Sequence, residues 1–105
     1  MTLSSSKKIG KEIEELKLSH YLTHPVRLKI ILTIRRLGKS YIGQIARETG
    51  FSEELIGFHV ASLAQLGFLH GEYGLNRSCK PPRAVKYFYL TDKVDQTFEA
   101  LKNRV

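Results

Sequence analysis

A chain of 105 residues with 42% hydrophobic content is long enough for one small domain with one modest core. Seventeen Lys and Arg against ten Asp and Glu leave a formal charge of +7, which admits nucleic acid or an anionic membrane surface as partner. One cysteine excludes an internal disulfide and a Cys-based zinc site, and no apolar run reaches the ~20 residues that span a bilayer.

The opening residues MTLSSSKKIG are polar, Ser-rich and basic, and residues 1–10 read as a flexible basic arm. They lack the apolar core of a signal peptide, so a soluble cytoplasmic chain without membrane association is expected. Residues 11–105 then read as a single domain. From Lys11 to Tyr21, Ile13, Leu16 and His20 recur at helical spacing, with Glu12, Glu14 and Glu15 placed early, where carboxylates suit the helix dipole. Pro25 suits the first turn of a second helix, whose inner face is expected to be Leu28, Ile31 and Leu32 with the stem of Arg35. Gly38 stops it.

Ser40 is expected to cap a short third helix with Ile42, Ile45 and Ala46 inward, ending near Gly50. Ser52 caps a fourth helix and Gly67 ends it, with Ile56, Val60 and Leu63 forming its core stripe at i, i+4, i+7. After Gly67 the period changes to two. Phe68 to Tyr73 and Val85 to Leu90 read as strands, with Tyr87 and Tyr89 expected in the core. Between them runs GLNRSCKPPRA, stiffened by Pro81 and Pro82. Thr91 is expected to cap a last helix carrying Val94, Phe98, Leu101 and Val105 on one stripe.

Helix, turn and helix followed at once by a basic hairpin make a winged helix-turn-helix, mostly α with a small β-hairpin wing in an α+β arrangement. Charge divides along the same lines. Residues 1–47 hold ten basic and three acidic side chains, 48–76 hold four glutamates and no cation, and 77–90 hold four cations and no acid. The fourth helix, which in such a fold reads base edges, therefore sits in an acidic stretch between two basic ones.

The run THPVRLKIILTIRRLGKSYIGQIARETGFSEELIGFHVASLAQLGFL, from Thr23, resembles the ArsR-type winged-helix repressors. Those repressors show a PxRL-like segment, a helix ending in glycine, and a fourth helix with Ser-x-His-Leu, a later Leu and a Gly-Leu-Val ending. Here the corresponding residues are Gly57, Phe58, His59 and Val60, then Leu63, then Gly67, Phe68 and Leu69. YFYLTDK resembles the junction of the second wing strand with the last helix. The resemblance covers about residues 20–95, and MarR-type winged helices share much of the pattern.

The resemblance implies a homodimer built from the first and last helices, with Ile13, Leu16, Val94, Phe98, Leu101 and Val105 as its surface. It also implies a structural role for His59. Metal-sensing members carry Cys-x-Cys on the third helix, where this chain has Tyr41 and Gly43. A second metal site uses Asp-x-His, and here Asp92 is followed by Val94, with no histidine after His70. No metal sensing through either site, and no cofactor, is expected.

The expected function is that of a sequence-specific, double-stranded-DNA-binding transcriptional regulator. Helix 53–66 would enter the major groove, presenting Ser52, Glu53, Glu54, Gly57, Phe58 and Ala61. Glu53 and Glu54 suit the dipole of the first turn, and one of them is also placed to accept from a cytosine amino group. Phe58 suits a thymine methyl or packing on the wing. The basic wing 74–85 would lie on backbone or minor groove, with Arg77, Lys80, Arg83 and Lys86 joined by Lys39 and Arg47 beside the third helix.

The alternative is a winged-helix protein-docking module of a larger transcription assembly, for which the acidic helix and Phe58 speak. RNA binding lacks a stacking platform, and no catalytic set is evident, so an enzyme is not expected. Cys79 is a lone thiol in a basic loop, read as an inert exposed residue with a redox role as the alternative.

Overall fold

The computed structural model describes residues 13–103, apart from residue 15; the basic arm and Val105 lie outside the described residues. Residues 13, 14 and 16–22 belong to helix α1, followed by α2 Pro25–Leu37, α3 Ile42–Thr49 and α4 Glu53–Gln65. Strands β1, Leu69–Asn76, and β2, Arg83–Leu90, follow, and α5, Asp92–Lys102, closes the order. A helix-turn-helix backed by an antiparallel hairpin is a winged helix, as the order of sequence patterns predicts.

The core forms where the helices meet the base of the hairpin. Leu22, Ile30, Ile31, Ile34, Ile45, Ile56, Val60, Leu63, Phe68 and Val94 are essentially without exposed surface. Each such side chain contributes about 1.5–3 kcal/mol of transfer free energy. The α4 stripe is as predicted. On α2, however, the buried residues are Ile30, Ile31, Thr33 and Ile34, while Leu32 is 61% exposed. LKIILTI carries apolar residues on adjacent helical stripes, so spacing alone does not choose between them.

Helix ends are well satisfied. Pro25 opens α2, with the His24 ring nitrogen Nδ1 accepting from the Val26 N–H at 3.2 Å. Ser52 caps α4, its hydroxyl accepting from the Leu55 N–H at 3.2 Å. At the other end Gly67 adopts φ +85°. Its N–H reaches the Ala64 carbonyl at 3.0 Å, and the Phe68 N–H reaches that of Leu63 at 2.9 Å. This is the Schellman arrangement, with buried Leu63 and Phe68 as its apolar contact.

Two expected caps act differently. Ser40 is fully buried and paired with Phe88, donating its N–H to the Phe88 carbonyl at 3.1 Å and accepting in return at 2.8 Å. That pairing adds an extended residue beside β2, so α3 starts one residue later and Tyr41 occupies the cap position. Thr91 precedes α5, but its hydroxyl donates to the Gly67 carbonyl at 2.6 Å instead of capping. Lys93 joins it, donating to the Leu66 carbonyl at 2.6 Å, which places a cation at the carbonyl end of α4.

The hairpin is longer than predicted. Pairing runs from Leu69 opposite Leu90 to Asn76 opposite Arg83, leaving residues 77–82 as the turn. Gly74 and Asn76 are poor strand formers, and cross-strand hydrogen bonding overrides that preference. Alternation also reverses the expected role of the tyrosines. Phe88 is 6% exposed, so Tyr87 and Tyr89, on the opposite face of β2, are half-buried and outside the main core.

Candidate nucleic-acid interface

α4 is anchored by its buried stripe and presents the other side outward. Ser52, Glu53, Glu54, Phe58 and Ala61 are exposed, with Phe58 at 65%, and Gly57 is half-buried beside Ile42. The predicted base-reading residues thus share the accessible part of one helix. His59, between them in sequence, points inward. It is 5% exposed, takes a hydrogen bond from Arg27 and has Phe58 edge-on at 5.3 Å between ring centres.

The turn into α3 approaches both α4 and the wing. Glu53, from the first turn of α4, and the Tyr41 ring both come close to Gly43. Arg47, on the same helix as Gly43, donates from Nη2 to the Tyr41 hydroxyl at 2.7 Å. That hydrogen bond raises the guanidinium pKa from an already high value, and the charge of Glu53 adds to it against slight desolvation. From the wing, Asn76 donates Nδ2 to the same hydroxyl at 3.2 Å, and the Tyr87 ring meets that of Tyr41 edge-on at 5.8 Å. Lys39 sets its ammonium 4.6 Å from the centre of the Tyr87 ring. Lys39 and Arg47, predicted together beside the third helix, line one cleft, and Tyr41, Asn76 and Tyr87 join them unpredicted.

The four wing cations do not form one patch. Arg77 and Lys80 lie in the turn. Arg83 shares the Tyr87 face of β2, and Lys86 belongs to the other, since side chains alternate. Lys86 runs its stem across Gly71, where an added Cβ would fall 2.5 Å from it, and sets its ammonium 5.5 Å from the Tyr73 ring centre. Lys86 is thereby separated from the cations it was grouped with. In the turn, Asn76 Oδ1 accepts from the Ser78 N–H at 3.2 Å, and Asn76 Nδ2 also lies 3.5 Å from the half-buried Cys79 sulfur.

Of the expected dimer surface, Ile13 and Leu16 are about half exposed, at 49% and 48%, and Phe98 and Leu101 are half-buried. Val94 is fully buried in the chain's own core and has no surface to offer a partner. Its place at the start of α5, whose neighbours Thr91 and Lys93 bind the carbonyls of Gly67 and Leu66, commits it inward. Among the described residues, no three His, Cys, Asp or Glu side chains converge, and no helix is long and apolar enough to cross a membrane.

No protein-family model and no curated protein matches the sequence. Solved structures do. The transcriptional repressor BigR from Xylella fastidiosa is 22% identical with a TM-score of 0.66, over 97% of this chain and 91% of that one. A transcriptional regulator homologue from Pyrococcus horikoshii OT3 is 22% identical with a TM-score of 0.63, over 86% and 92%. A MarR family transcriptional regulator from Silicibacter pomeroyi DSS is 14% identical with a TM-score of 0.61, over 97% and 67%. At these identities the likeness is one of fold.

Proposed function

We propose that the chain is a sequence-specific regulator of transcription that binds double-stranded DNA as a homodimer in the cytoplasm, a binding protein and not an enzyme. Helix 53–66 enters the major groove, and the wing over 74–85 follows the backbone toward the minor groove. One observation carries this reading: Tyr41, at the start of α3, is met by Asn76 and Tyr87 of the hairpin and lies beside the cations Arg47 and Lys39, with Glu53 of α4 at nearby Gly43. Phosphate contacts set affinity and register while base contacts specify, so an acid-tipped reading helix is workable when cations stand next to it. The ArsR-like reading rests on the residue pattern over about residues 20–95 alone; the similar folds support a winged-helix regulator and include one of the MarR family. Ile13, Leu16, Phe98 and Leu101 supply the dimer surface, which spaces two reading helices about one helical turn apart.

Phe58, 65% exposed beside two glutamates, favours a second reading in which this face docks a protein. Selection from a pool of random duplexes at two salt concentrations separates them. Enrichment of a palindromic site, with affinity falling steeply in salt, is the expected result. No retention at low salt would replace the DNA reading by the docking one.

A further inference from the structure

Several cations of the described surface are committed. Arg35 pairs with Asp95 at 2.6 Å and Arg36 with Glu48 at 2.8 Å. Arg47 is held differently, because the Tyr41 hydroxyl is a neutral acceptor that orients the guanidinium without cancelling its charge. Lys39 is likewise positioned by a ring face. Both line the cleft between the start of α3 and the turn-side half of the hairpin, and no carboxylate lines it. Glu53 acts on Arg47 from outside, across the first turn of α4.

Tyr41 is arranged to donate. A phenol hydroxyl both accepts hydrogen bonds and gives one. Here it accepts from Arg47 at 2.7 Å and from Asn76 at 3.2 Å. Asn76 is itself 8% exposed and fixed by the Ser78 N–H. The hydroxyl hydrogen therefore has no acceptor among the described residues, and it lies in a cleft whose charged members are all positive.

We infer that the Tyr41 hydroxyl, the Arg47 guanidinium and the Lys39 ammonium together seat one backbone phosphate of duplex DNA in this cleft. The inference rests on the DNA-binding reading and adds to it a seat and a hydroxyl donor. A phosphodiester has anionic oxygens for all three donors, and a guanidinium suits them in particular. Because Tyr41 holds Asn76 of β1 as well as Arg47 of α3, the wing and the helix-turn-helix are locked together where the DNA backbone passes.

The test measures binding of a short duplex across a salt series for the wild type, Tyr41→Phe, Arg47→Gln and Lys39→Gln. Tyr41→Phe should weaken binding about tenfold with the salt slope unchanged, since a neutral donor releases no counterion. Arg47→Gln and Lys39→Gln should each lower the slope by about one. Lys39→Gln leaves the Asn76 contact untouched, which guards against a loosened wing in Tyr41→Phe. Wild-type affinity in Tyr41→Phe, or unchanged slopes in both cation variants, overturns the seat while the DNA reading stands. Failure of the wild type itself to bind duplex overturns the DNA reading. Inorganic phosphate that stabilises the wild type but not Tyr41→Phe, with duplex binding alike in both, assigns the cleft to a free anion and also overturns the seat.

Discussion

Arg27 donates from Nε to Nδ1 of His59 at 3.3 Å, joining the first turn of α2 to the middle of α4 across 32 residues. The same guanidinium donates to the Tyr21 carbonyl at 3.1 Å and lies 3.5 Å from the centre of the Tyr21 ring, so α1 is tied in as well. His24 completes the surroundings, with its ring centre 5.1 Å from that of His59. α4 is thus held from behind by an arginine whose acceptor titrates.

His59 accepts at Nδ1 only while that nitrogen is unprotonated. Burial first, then the charges of Arg27 and His24, push its pKa below the ordinary 6.5. The unfolded chain therefore takes up the proton first as pH falls. Stability carried by neutral His59 is complete above about pH 6.5 and is lost progressively below it. Urea midpoints from about pH 8 to about pH 5 should fall for the wild type and fall less for His59→Gln. Parallel curves would exclude His59 as the acid-sensitive group.

Gly57 is not required by packing. A Cβ there would meet the Ile42 Cδ1 at 3.8 Å, an ordinary contact. Gly57→Ala should therefore raise stability by about 0.5–1 kcal/mol through helix propensity. Duplex affinity should fall about tenfold if the bare backbone is there to approach base edges. Stabilisation without any loss of binding would remove close approach as its reason.

Strand alternation separates Arg83 from Lys86. Arg83→Gln should lower the salt slope of duplex binding by about one, while Lys86→Gln should leave it unchanged. Equal slopes for the two variants would contradict a DNA path along the Tyr87 face.

Leu16 is 48% exposed on α1. Replacing it by Asp would place a charge in the proposed dimer surface, with little cost to the isolated fold. Sedimentation should show a dimer for the wild type and a monomer for Leu16→Asp. A wild-type chain that is monomeric at micromolar concentration would discard the dimer.

Much of the fold was legible because its signals are local. Pro25 and Gly38 bound α2, Ser52 and Gly67 bound α4, and Ile56, Val60 and Leu63 face inward as their spacing demands. Such features depend on φ, on a cap within three residues, or on a helical period. The hairpin was legible in place but not in extent, because its last pairs, out to Asn76 and Arg83, come from cross-strand bonding between residues with little strand preference of their own.

The candidate site divides in the same way. The outward residues of α4 follow from its period, and the basic wing from composition. Chain order alone thus determined a winged helix whose fourth helix is acid-tipped and lies between basic flanks. Only the tertiary structure decided that Ser40 pairs with Phe88, that Lys86 leaves the other wing cations, and that Tyr41 gathers Arg47 and Asn76. Tyr41 and Asn76 are 35 residues apart, and strand register decides which side chains reach that cleft. A one-residue slip would have put the opposite faces there, and no local pattern in the sequence carries that information.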